Sequence, residues 1–306
     1  MNRAVTFETF GGPEVLELRD VPEPHAGPGQ VRVRVTAAGL NPMDVGISLR
    51  PELAAIFGIT VPSGFGSDLA GAVDEVGEGV SGFAVGDRVY GGALGRAMAD
   101  YAVVRPSVDS LQPTPEGITD EVASTLAVAG STAAAALAAV DLQDTDTVLI
   151  GGAGGGVGVF AVQLARLAGA RVIGTASPGT FDFLRRLGAE PVAYGPGLAD
   201  RVRALAPGGV SAAVDLFGME TAEVALALGV RPDRISTVAA GPNPPGGVRA
   251  TGAIDAAPDS LKRITDAIAA GDLTVPIAGS FRLEQIREAV TLQAGRHAHG
   301  KVVVTL

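Results

Sequence analysis

The chain has 306 residues, about twice the commonest domain length, so we expect two domains. Hydrophobic residues make up 47% of the chain and charged residues 18%, a composition that indicates folded domains with filled cores. A net charge of −10 excludes nucleic acid or an anionic membrane as the main partner, because binding many phosphates needs a basic surface. With no cysteine and only three histidines, disulfides, iron–sulfur clusters and thiolate zinc sites are excluded, and we expect no metal site.

Residues 1–118 are predicted to be rich in β-strands. Val31–Val35 alternates valine with arginine, and Ala72–Val76 and Arg88–Tyr90 are short apolar runs between glycines and prolines. The first residues carry charge and a Gly-Pro pair where an export signal needs an apolar run. We therefore expect a cytoplasmic protein.

From Asp120 onward the pattern changes to alternating helices and strands. Val122–Val140 favours a long alanine-rich helix interrupted at Gly130, and Thr147–Ile150 favours a buried strand. Further elements of the same alternation are predicted over Val157–Leu167, Arg171–Thr175, Phe181–Leu187, Pro191–Ala193, Leu198–Ala206, Ala212–Leu216, Arg234–Val238, Val248–Ala253 and Ser260–Ala270. Such alternation is typical of βαβ units in a parallel sheet, so the sequence predicts an α/β domain over residues 119–270.

Two long uncharged stretches and the C-terminal tail complete this outline. Val122–Val140 and Thr147–Ala165 consist mainly of small residues, unlike the leucine-rich run of a spanning helix, so we expect no membrane partner. The tail ends in the β-run Lys301–Leu306. Residues 271–306 are therefore predicted to pair with the N-terminal β-rich region and complete its domain.

The strongest local signal is Val148–Arg166, where an apolar strand runs directly into a glycine-rich turn and then a helix. Ala153, Gly155 and Gly158 occupy the three positions of the G-x-G-x-x-G dinucleotide motif, with alanine in the first. Small residues let backbone N–H groups approach a pyrophosphate, and the helix N-terminus contributes a positive dipole end. Such loops also form ordinary turns, but the strand before it and the helix after it favour a dinucleotide site.

The end of the next strand indicates which dinucleotide binds. NAD-selective sites place an acid about 20 residues past the start of the loop, where it holds the ribose 2′-OH. Arg171–Pro178 carries no acid, and an uncharged end with Ser177 accommodates a 2′-phosphate, which favours NADP(H). Candidate contacts to that phosphate or to the adenine are Arg185, Arg186 and Tyr194, although both arginines are equally consistent with a solvated helix face.

Five segments together resemble the zinc-independent quinone oxidoreductase branch of the medium-chain dehydrogenase/reductase superfamily, nearly from end to end. These segments are Gly39–Asp44, Gly66–Val89, Ala129–Leu137, Val148–Arg166 and Gly300–Leu306. The resemblance implies a GroES-like β domain over residues 1–118, completed by 271–306. It implies a Rossmann domain, with a doubly wound parallel sheet, between them.

Zinc-dependent relatives are similar in layout but hold a catalytic metal with a cysteine in the first segment and a histidine–glutamate pair in the second. Asn41 and Ser67-Asp68 stand at those places in this chain. The structural zinc lobe of such enzymes would fall between Val89 and Tyr101, where only a short cysteine-free insert exists. The resemblance therefore implies a metal-free reaction.

The resemblance also implies which residues contact the cofactor. Asn41 would lie near the nicotinamide, Thr132 near the phosphates, and Ser177 and Tyr194 at the adenosine 2′-phosphate. Backbone contacts to the pyrophosphate, and the cleft at the carboxyl ends of strands four and five, would be supplied by Gly155, Gly156, Val157, Phe217, Gly218, Ala239 and Ala240. Asp68 is a candidate catalytic residue that orients a polar group or relays a proton, or else a structural hydrogen-bond partner.

The usual proton donors of the family are missing. Gly46 and Ser48 stand where the family commonly has a tyrosine and an arginine, and Thr180 lies near the place of the lysine in enoyl-thioester reductases. A quinone or activated enone accepts hydride and takes its proton from solvent, whereas an unactivated ketone needs zinc or an acid. We therefore favour NADPH-dependent reduction of a small-molecule quinone or enone. An enoyl-thioester or polyketide-intermediate reductase and a low-turnover NADPH-binding sensor remain alternatives.

The resemblance further implies a homodimer. In that assembly the last Rossmann strand, Val248–Ala253, pairs with its copy across a two-fold axis. An exposed edge strand is otherwise a liability, because its unpaired backbone groups invite association.

Overall fold

In the computed structural model, which describes residues 2–241 and 244–306, the chain divides into two compact units. One comprises the chain up to Val128 together with Ile277–Leu306, and the other comprises Ala129–Pro276. The boundaries predicted from the sequence fall at residues 118/119 and 270/271, whereas the units divide at 128/129 and 276/277. The C-terminal tail thus belongs to the same unit as the N-terminal residues.

The helices of the described residues follow one another in chain order as α1 (Pro42–Leu49), α2 (Pro51–Ile56), α3 (Asp120–Ala123), α4 (Ala127–Ala138), α5 (Gly158–Leu167), α6 (Phe181–Leu187), α7 (Leu198–Leu205), α8 (Glu220–Ala227), α9 (Ser260–Ala269) and α10 (Ile286–Ala294). The strands are β1 (Asn2–Phe7), β2 (Glu17–Val21), β3 (Val31–Leu40), β4 (Ser63–Gly64), β5 (Asp68–Val76), β6 (Arg88–Gly92), β7 (Tyr101–Val104), β8 (Gln112–Pro113), β9 (Thr147–Gly151), β10 (Arg171–Ala176), β11 (Glu190–Ala193), β12 (Ala212–Asp215), β13 (Ile235–Thr237), β14 (Arg249–Ala250), β15 (Ile277–Arg282) and β16 (Lys301–Thr305). None of these helices combines the length and the apolar character that crossing a bilayer requires.

The first unit is built on β3. Its valines Val31, Val33 and Val35 are buried and alternate with arginines, as one inward and one outward face of a strand require. In the described residues β3 lies inside a seven-stranded sheet of order β15-β16-β3-β5-β6-β8, with β7 also pairing to β3, and β2-β1-β4 form a small second sheet. The last strand, β16, pairs antiparallel with β3, so that Val302 lies opposite Leu40. The predicted return of the tail to the β-rich region is therefore present.

Two short helices interrupt this β-rich region, and the sequence pattern did not predict them. Helix α1 begins after Asn41, whose backbone N–H donates to the Asp44 carboxylate at 2.8 Å in a capping box. Prolines at the first turn of α1 and of α2 fit positions where a helix needs no N–H donor.

The second unit contains a six-stranded sheet, counted over the described residues, whose pairings are all parallel. Its order is β11-β10-β9-β12-β13-β14, that is third, second, first, fourth, fifth and sixth strand of the domain. This is the strand order of a Rossmann sheet. The order in which the chain adds strands reverses between β9 and β12, and such sheets bind ligands at this point, beyond the carboxyl ends of their strands. The predicted fold class, a GroES-like β domain with a doubly wound parallel sheet, is confirmed.

Two elements differ from the prediction. The helix predicted over Val122–Val140 is broken at residues 124–126 and not at Gly130, which lies inside α4. A Cβ on Gly130 would lie 3.0 Å from the side chain of Ile264, so this glycine permits close packing and does not end the helix. The strand predicted over Val248–Ala253 is only two residues long, because the chain turns into a short 3₁₀ segment at Ala253–Asp255.

Candidate functional site: a dinucleotide cradle and a buried polar network

The glycine loop lies at the carboxyl end of β9, the central strand of the Rossmann sheet. Gly152 has a φ of +67°, a conformation that favours glycine, and the chain then turns back into α5. A Cβ on Gly158 would lie 2.3 Å from the carbonyl oxygen of Gly152 and 2.5 Å from that of Ala153. Glycine is therefore required at Gly158 for the strand and the helix to approach this closely, as the motif predicts.

The loop presents backbone donors at the start of α5. Within the described ranges, no hydrogen bond is donated by the backbone N–H groups of Gly156, Val157 or Gly158, while Gly155 donates to Gly152 at 3.0 Å. Gly155, Gly156 and Val157 are half-buried and open to a ligand. Free N–H groups at a helix N-terminus form a favourable site for a pyrophosphate, so the loop fits a dinucleotide.

Thr175 supports the loop, and sequence reasoning missed it. The Thr175 hydroxyl accepts a hydrogen bond from the N–H of Gly152 at 3.1 Å, and its carbonyl accepts one from Ala153 at 3.3 Å. Thr175 is buried in β10. The available signal was a single threonine in the otherwise apolar end of that strand.

The end of β10 carries hydroxyl groups and no carboxylate. The hydroxyl oxygens of Ser177 and Thr180 lie 2.9 Å apart. Arg185 lies on the exposed face of α6, where its guanidinium is 2.6 Å from the carboxylate of Asp182 and stacks over the ring of Phe181. Arg185 thus lies on a solvated helix face, and its contact with the 2′-phosphate stays a prediction.

Tyr194 follows β11 directly and has 56% of its surface exposed. Arg201, from α7, donates hydrogen bonds to the carbonyl oxygens of Ala193 and Gly195 at 2.8 and 2.9 Å and also contacts that of Tyr194. The guanidinium therefore fixes the backbone on both sides of Tyr194. This role of Arg201 was not predicted from the sequence.

The loops after β12 and β13 are held by two buried polar side chains. Asp215 accepts hydrogen bonds from the N–H groups of Phe217 and Gly218, each at 3.0 Å. Thr237 accepts weaker ones from Ala239 and Ala240 at 3.4 and 3.3 Å, and it donates to the carbonyl of Gly218 at 3.4 Å. The four loop residues predicted to line the cleft therefore follow β12, which neighbours β9, and β13, the next strand along the sheet. The remaining predicted contact, Thr132, lies on α4 and is 8% exposed.

In the other unit, the structure brings the two predicted catalytic residues together. Asn41, at the end of β3, donates from Nδ2 to the carboxylate of Asp68 at 2.9 Å. Asp68 is fully buried and also accepts a hydrogen bond from the N–H of Val128 at 3.1 Å. The two residues meet because β3, which ends directly before Asn41, pairs antiparallel with β5, with Gly39 opposite Asp68.

The cation of this network was not predicted from the sequence. Lys301, the first residue of β16, is 2% exposed, and its Nζ lies 2.5 Å from Oδ1 of Asn41 and 3.4 Å from the carbonyl oxygen of Leu40. A signal was present, because a lysine directly before the buried run Val302–Val304 must lie at the edge of the core. Its partners Asn41 and Leu40 are 260 and 261 positions away in the chain, beyond the reach of any local pattern.

Asp44 extends the network from the start of α1. It accepts a hydrogen bond from the Asn41 N–H and a short one from the Ser67 hydroxyl. Burial raises the pKa of the Asp44 carboxyl to about 6 and that of Asp68 to about 7, although hydrogen bonds and the charge of Lys301 lower both. Burial also lowers the pKa of the Lys301 ammonium, against the opposing effect of the two carboxylates.

Two domain families match the chain. The alcohol dehydrogenase GroES-like domain covers residues 27–116, and the family described as zinc-binding dehydrogenase covers residues 187–304. Over 99% of both chains, the sequence is 33% identical to the quinone oxidoreductase of Pseudomonas aeruginosa. The chain belongs to the quinone oxidoreductase family of the medium-chain dehydrogenases/reductases.

Solved structures of the quinone oxidoreductase family agree with this assignment. The quinone oxidoreductase of Coxiella burnetii superposes with a TM-score of 0.87 at 29% identity, over 100% of this chain and 99% of the other. A mycobacterial protein described as complexed with NADPH has a TM-score of 0.86 at 28% identity, over 100% of both chains. The chain is therefore an oxidoreductase of a pyridine-nucleotide-binding family.

The chain is also similar to part of a polyketide synthase protein. The spectinabilin polyketide synthase protein NorB of Streptomyces orinoci is 40% identical over 59% of this chain, which corresponds to 8% of that much longer protein.

Among the residues that the structure describes, no three side chains of histidine, aspartate or glutamate lie close enough together to hold a metal ion.

Proposed function

We propose that the chain reduces a small-molecule quinone or α,β-unsaturated carbonyl compound with NADPH, by direct hydride transfer and without a metal ion. The observation that carries this proposal is the glycine loop, which presents the N–H groups of Gly156, Val157 and Gly158 beside a strand end that has no carboxylate. Family membership supports oxidoreduction, and the local chemistry of the chain supports the choice of cofactor and acceptor.

NADPH is favoured by the groups that follow β10. A carboxylate at this strand end would accept the ribose 2′-OH of NADH and repel a 2′-phosphate. The chain instead offers the hydroxyl of the half-buried Ser177, with the aromatic ring of Tyr194 exposed after the next strand. Hydroxyl groups donate to phosphate oxygens, so this end suits the 2′-phosphate of NADPH.

Bound NADPH supplies a hydride from C4 of its nicotinamide, and the protein positions the acceptor. A reduced quinone or enone is an anion that takes a proton from solvent, so this chemistry tolerates the glycine at position 46. The donor set near Asn41 argues against zinc. The Asn41 carboxamide already bonds to Asp68 at one end and to the Lys301 ammonium at the other, and the chain has no cysteine to supply a thiolate.

A second candidate is the reduction of an enoyl thioester, and a specific similarity favours it. Besides the polyketide synthase protein, the CurK enoyl reductase superposes with a TM-score of 0.87 at 25% identity over 99% of both chains. Such a substrate is also an activated enone, so the same hydride donor would act on it. Turnover with NADPH must therefore be compared between free quinones, free enones and enoyl thioesters.

The test is a steady-state assay that follows NADPH absorbance with 1,4-benzoquinone, 9,10-phenanthrenequinone, cyclohexenone and crotonyl-coenzyme A. We expect the highest kcat/KM with a quinone or the free enone. Preference for the thioester would support the second candidate. Binding of NADPH with no turnover of any acceptor would refute both and indicate an NADPH-binding sensor.

A further inference from the structure

The polar network around Asn41 is costly to bury and is fully formed inside the first unit. It contains one ammonium, Lys301, and two carboxylates, Asp44 and Asp68, all between 0% and 2% exposed. Burying ionisable groups is unfavourable unless each is well paired, and apolar residues of the same volume often stabilise a fold better. Packing alone therefore does not account for a lysine at this position.

The geometry shows what the lysine controls. The carboxamide of Asn41 has a donor end and an acceptor end of almost the same shape, so only its partners define its orientation. Lys301 donates to Oδ1 at 2.5 Å, and Asp68 accepts from Nδ2 at 2.9 Å. Exchanging the two ends would place Nδ2 against an ammonium and Oδ1 against a carboxylate, and both contacts would be repulsive.

The contacts described use one of the two Nδ2 hydrogens of Asn41 and one of the two Oδ1 lone pairs. The backbone of Asn41 is fixed as well, because its N–H donates to Asp44 at 2.8 Å. The direction of the second Nδ2 hydrogen is thus determined by the network. Asn41 is the residue that we expect near the nicotinamide.

We infer that Lys301 is a positioning residue of the reaction, which acts by holding the Asn41 carboxamide in a single orientation against Asp68. This inference rests on the proposed hydride transfer. The ammonium does not itself contact the substrate. Its removal leaves Oδ1 of Asn41 without a donor and Asp68 without its cation, so the carboxamide samples both orientations.

Lys301→Met tests the inference, because methionine is similar in length and carries no charge. The chain has only one other lysine, Lys262, which is exposed on α9, so Lys262→Met is a matched control. We expect Lys301→Met to lower kcat by about 100-fold, the effect of a misplaced positioning group. The KM for NADPH should change by less than ~3-fold, because the glycine loop belongs to the other unit. Lys262→Met should match wild type in both constants.

An NMR measurement reports on the carboxamide without turnover. The chain has three asparagines, Asn2, Asn41 and Asn243, so selective ¹⁵N-asparagine labelling gives three side-chain NH₂ pairs, with Asn41 assigned through Asn41→Ala. We expect the Asn41 pair to shift and broaden in Lys301→Met and to be unchanged in Lys262→Met. An Asn41 pair identical to that of wild type would overturn the inference, and so would a kcat within ~3-fold of wild type.

A double variant covers the outcome in which Lys301→Met does not fold. Lys301→Met/Asp68→Asn removes the ammonium together with the Asp68 carboxylate. The remaining buried carboxylate, Asp44, keeps its hydrogen bonds from the Asn41 N–H and the Ser67 hydroxyl, so the fold should recover. We expect kcat to stay low, because nothing distinguishes the two ends of the Asn41 carboxamide. A folded double variant with wild-type kcat would show a merely structural role and overturn the inference. If wild type turns over no acceptor, the proposed function fails, and the NMR comparison alone decides whether Lys301 positions Asn41.

Discussion

The hydroxyl of Thr175 accepts a hydrogen bond from the backbone N–H of Gly152 at 3.1 Å, which joins the end of β10 to the start of the glycine loop. The carboxyl ends of β9 and β10, which are paired in parallel, are thereby joined beside the loop. The pyrophosphate binding that we propose for the loop, and the choice between NADPH and NADH that we propose for the strand end, can be tested separately.

Gly156→Asp should abolish NADPH binding. The substitution adds bulk and a negative charge at a half-buried position among the free N–H groups that we expect to hold the pyrophosphate. Isothermal titration calorimetry measures the affinity. Gly208→Asp is the control, since it adds the same charge to an exposed loop of the same unit, where nothing lies within 4 Å of the new Cβ. Micromolar affinity retained in Gly156→Asp would show that the loop is not the site.

NADPH should bind more tightly than NADH, by at least ~10-fold, because the end of β10 carries Ser177 and no carboxylate. Ser177→Asp should reverse this preference, since the new carboxylate accepts the ribose 2′-OH and repels the 2′-phosphate. Titration of wild type and of Ser177→Asp with NADPH and with NADH measures the four affinities. Equal affinities in wild type would contradict the assignment.

Activity should be indifferent to chelators, and the purified protein should contain no stoichiometric zinc. The reason is the donor set: the chain has no cysteine, and the Asn41 and Asp68 side chains are already engaged with each other. Elemental analysis and kcat before and after dialysis against EDTA provide the measurement. About one zinc per chain, lost together with activity, would refute a metal-free reaction.

The stability of the first unit should depend on pH through Asp68, whose pKa is raised by burial from 3.8 to about 7. A raised carboxyl pKa means that the folded state binds the proton more tightly. The contribution of the protonated Asp68 carboxyl to the free energy of unfolding is complete below pH ~4 and is lost as the pH rises through ~7. The Tm of wild type minus that of Asp68→Asn should therefore fall by ~5 °C between pH 5 and pH 8.

Thermal unfolding followed by circular dichroism at several pH values measures this difference. Asp87→Asn, an exposed substitution of the same kind, is the control and should give a difference that does not vary over the range. A wild-type advantage that grows toward pH 8 would have the wrong sign.

The chain should form a homodimer through β14, the two-residue edge strand of the Rossmann sheet. Thr251 donates its N–H to the carbonyl of Thr237 at 2.9 Å, inside the sheet, so the N–H of the preceding Ala250 faces the outer edge. Ala250→Pro should therefore leave the monomer folded and weaken association. Ile254, which is 95% exposed beside this edge, should have the same effect when changed to glutamate.

Light scattering at micromolar concentration measures the assembly. Val108→Glu, at a 70% exposed position of the other unit, is the control. A wild-type monomer would refute the dimer, as would an unchanged dimer in both edge variants. Cofactor affinity should remain close to wild type in all of them.

Much of the second unit was predictable because its signals are local. A strand, a glycine-rich turn and a helix follow one another within Val148–Arg166, and each is encoded by neighbouring residues. The helices of the first unit were missed because Asn41 and Asp44 form a capping box within a region whose apolar pattern is that of strands. The length of β14 was overestimated, since the alternating pattern continues after Ala250 while the backbone turns away.

The sequence by itself determined the fold class, the Rossmann loop and the absence of a carboxylate at the end of β10, because each depends on residues that are close together in the chain. Only the tertiary structure decided the surroundings of Asn41. Its carboxamide lies between Asp68, 27 positions away, and Lys301, 260 positions away, because β3 pairs with β5 on one side and β16 on the other. Long-range strand pairing brings Asp68 and Lys301 to the two ends of the Asn41 carboxamide, and these buried partners define its orientation.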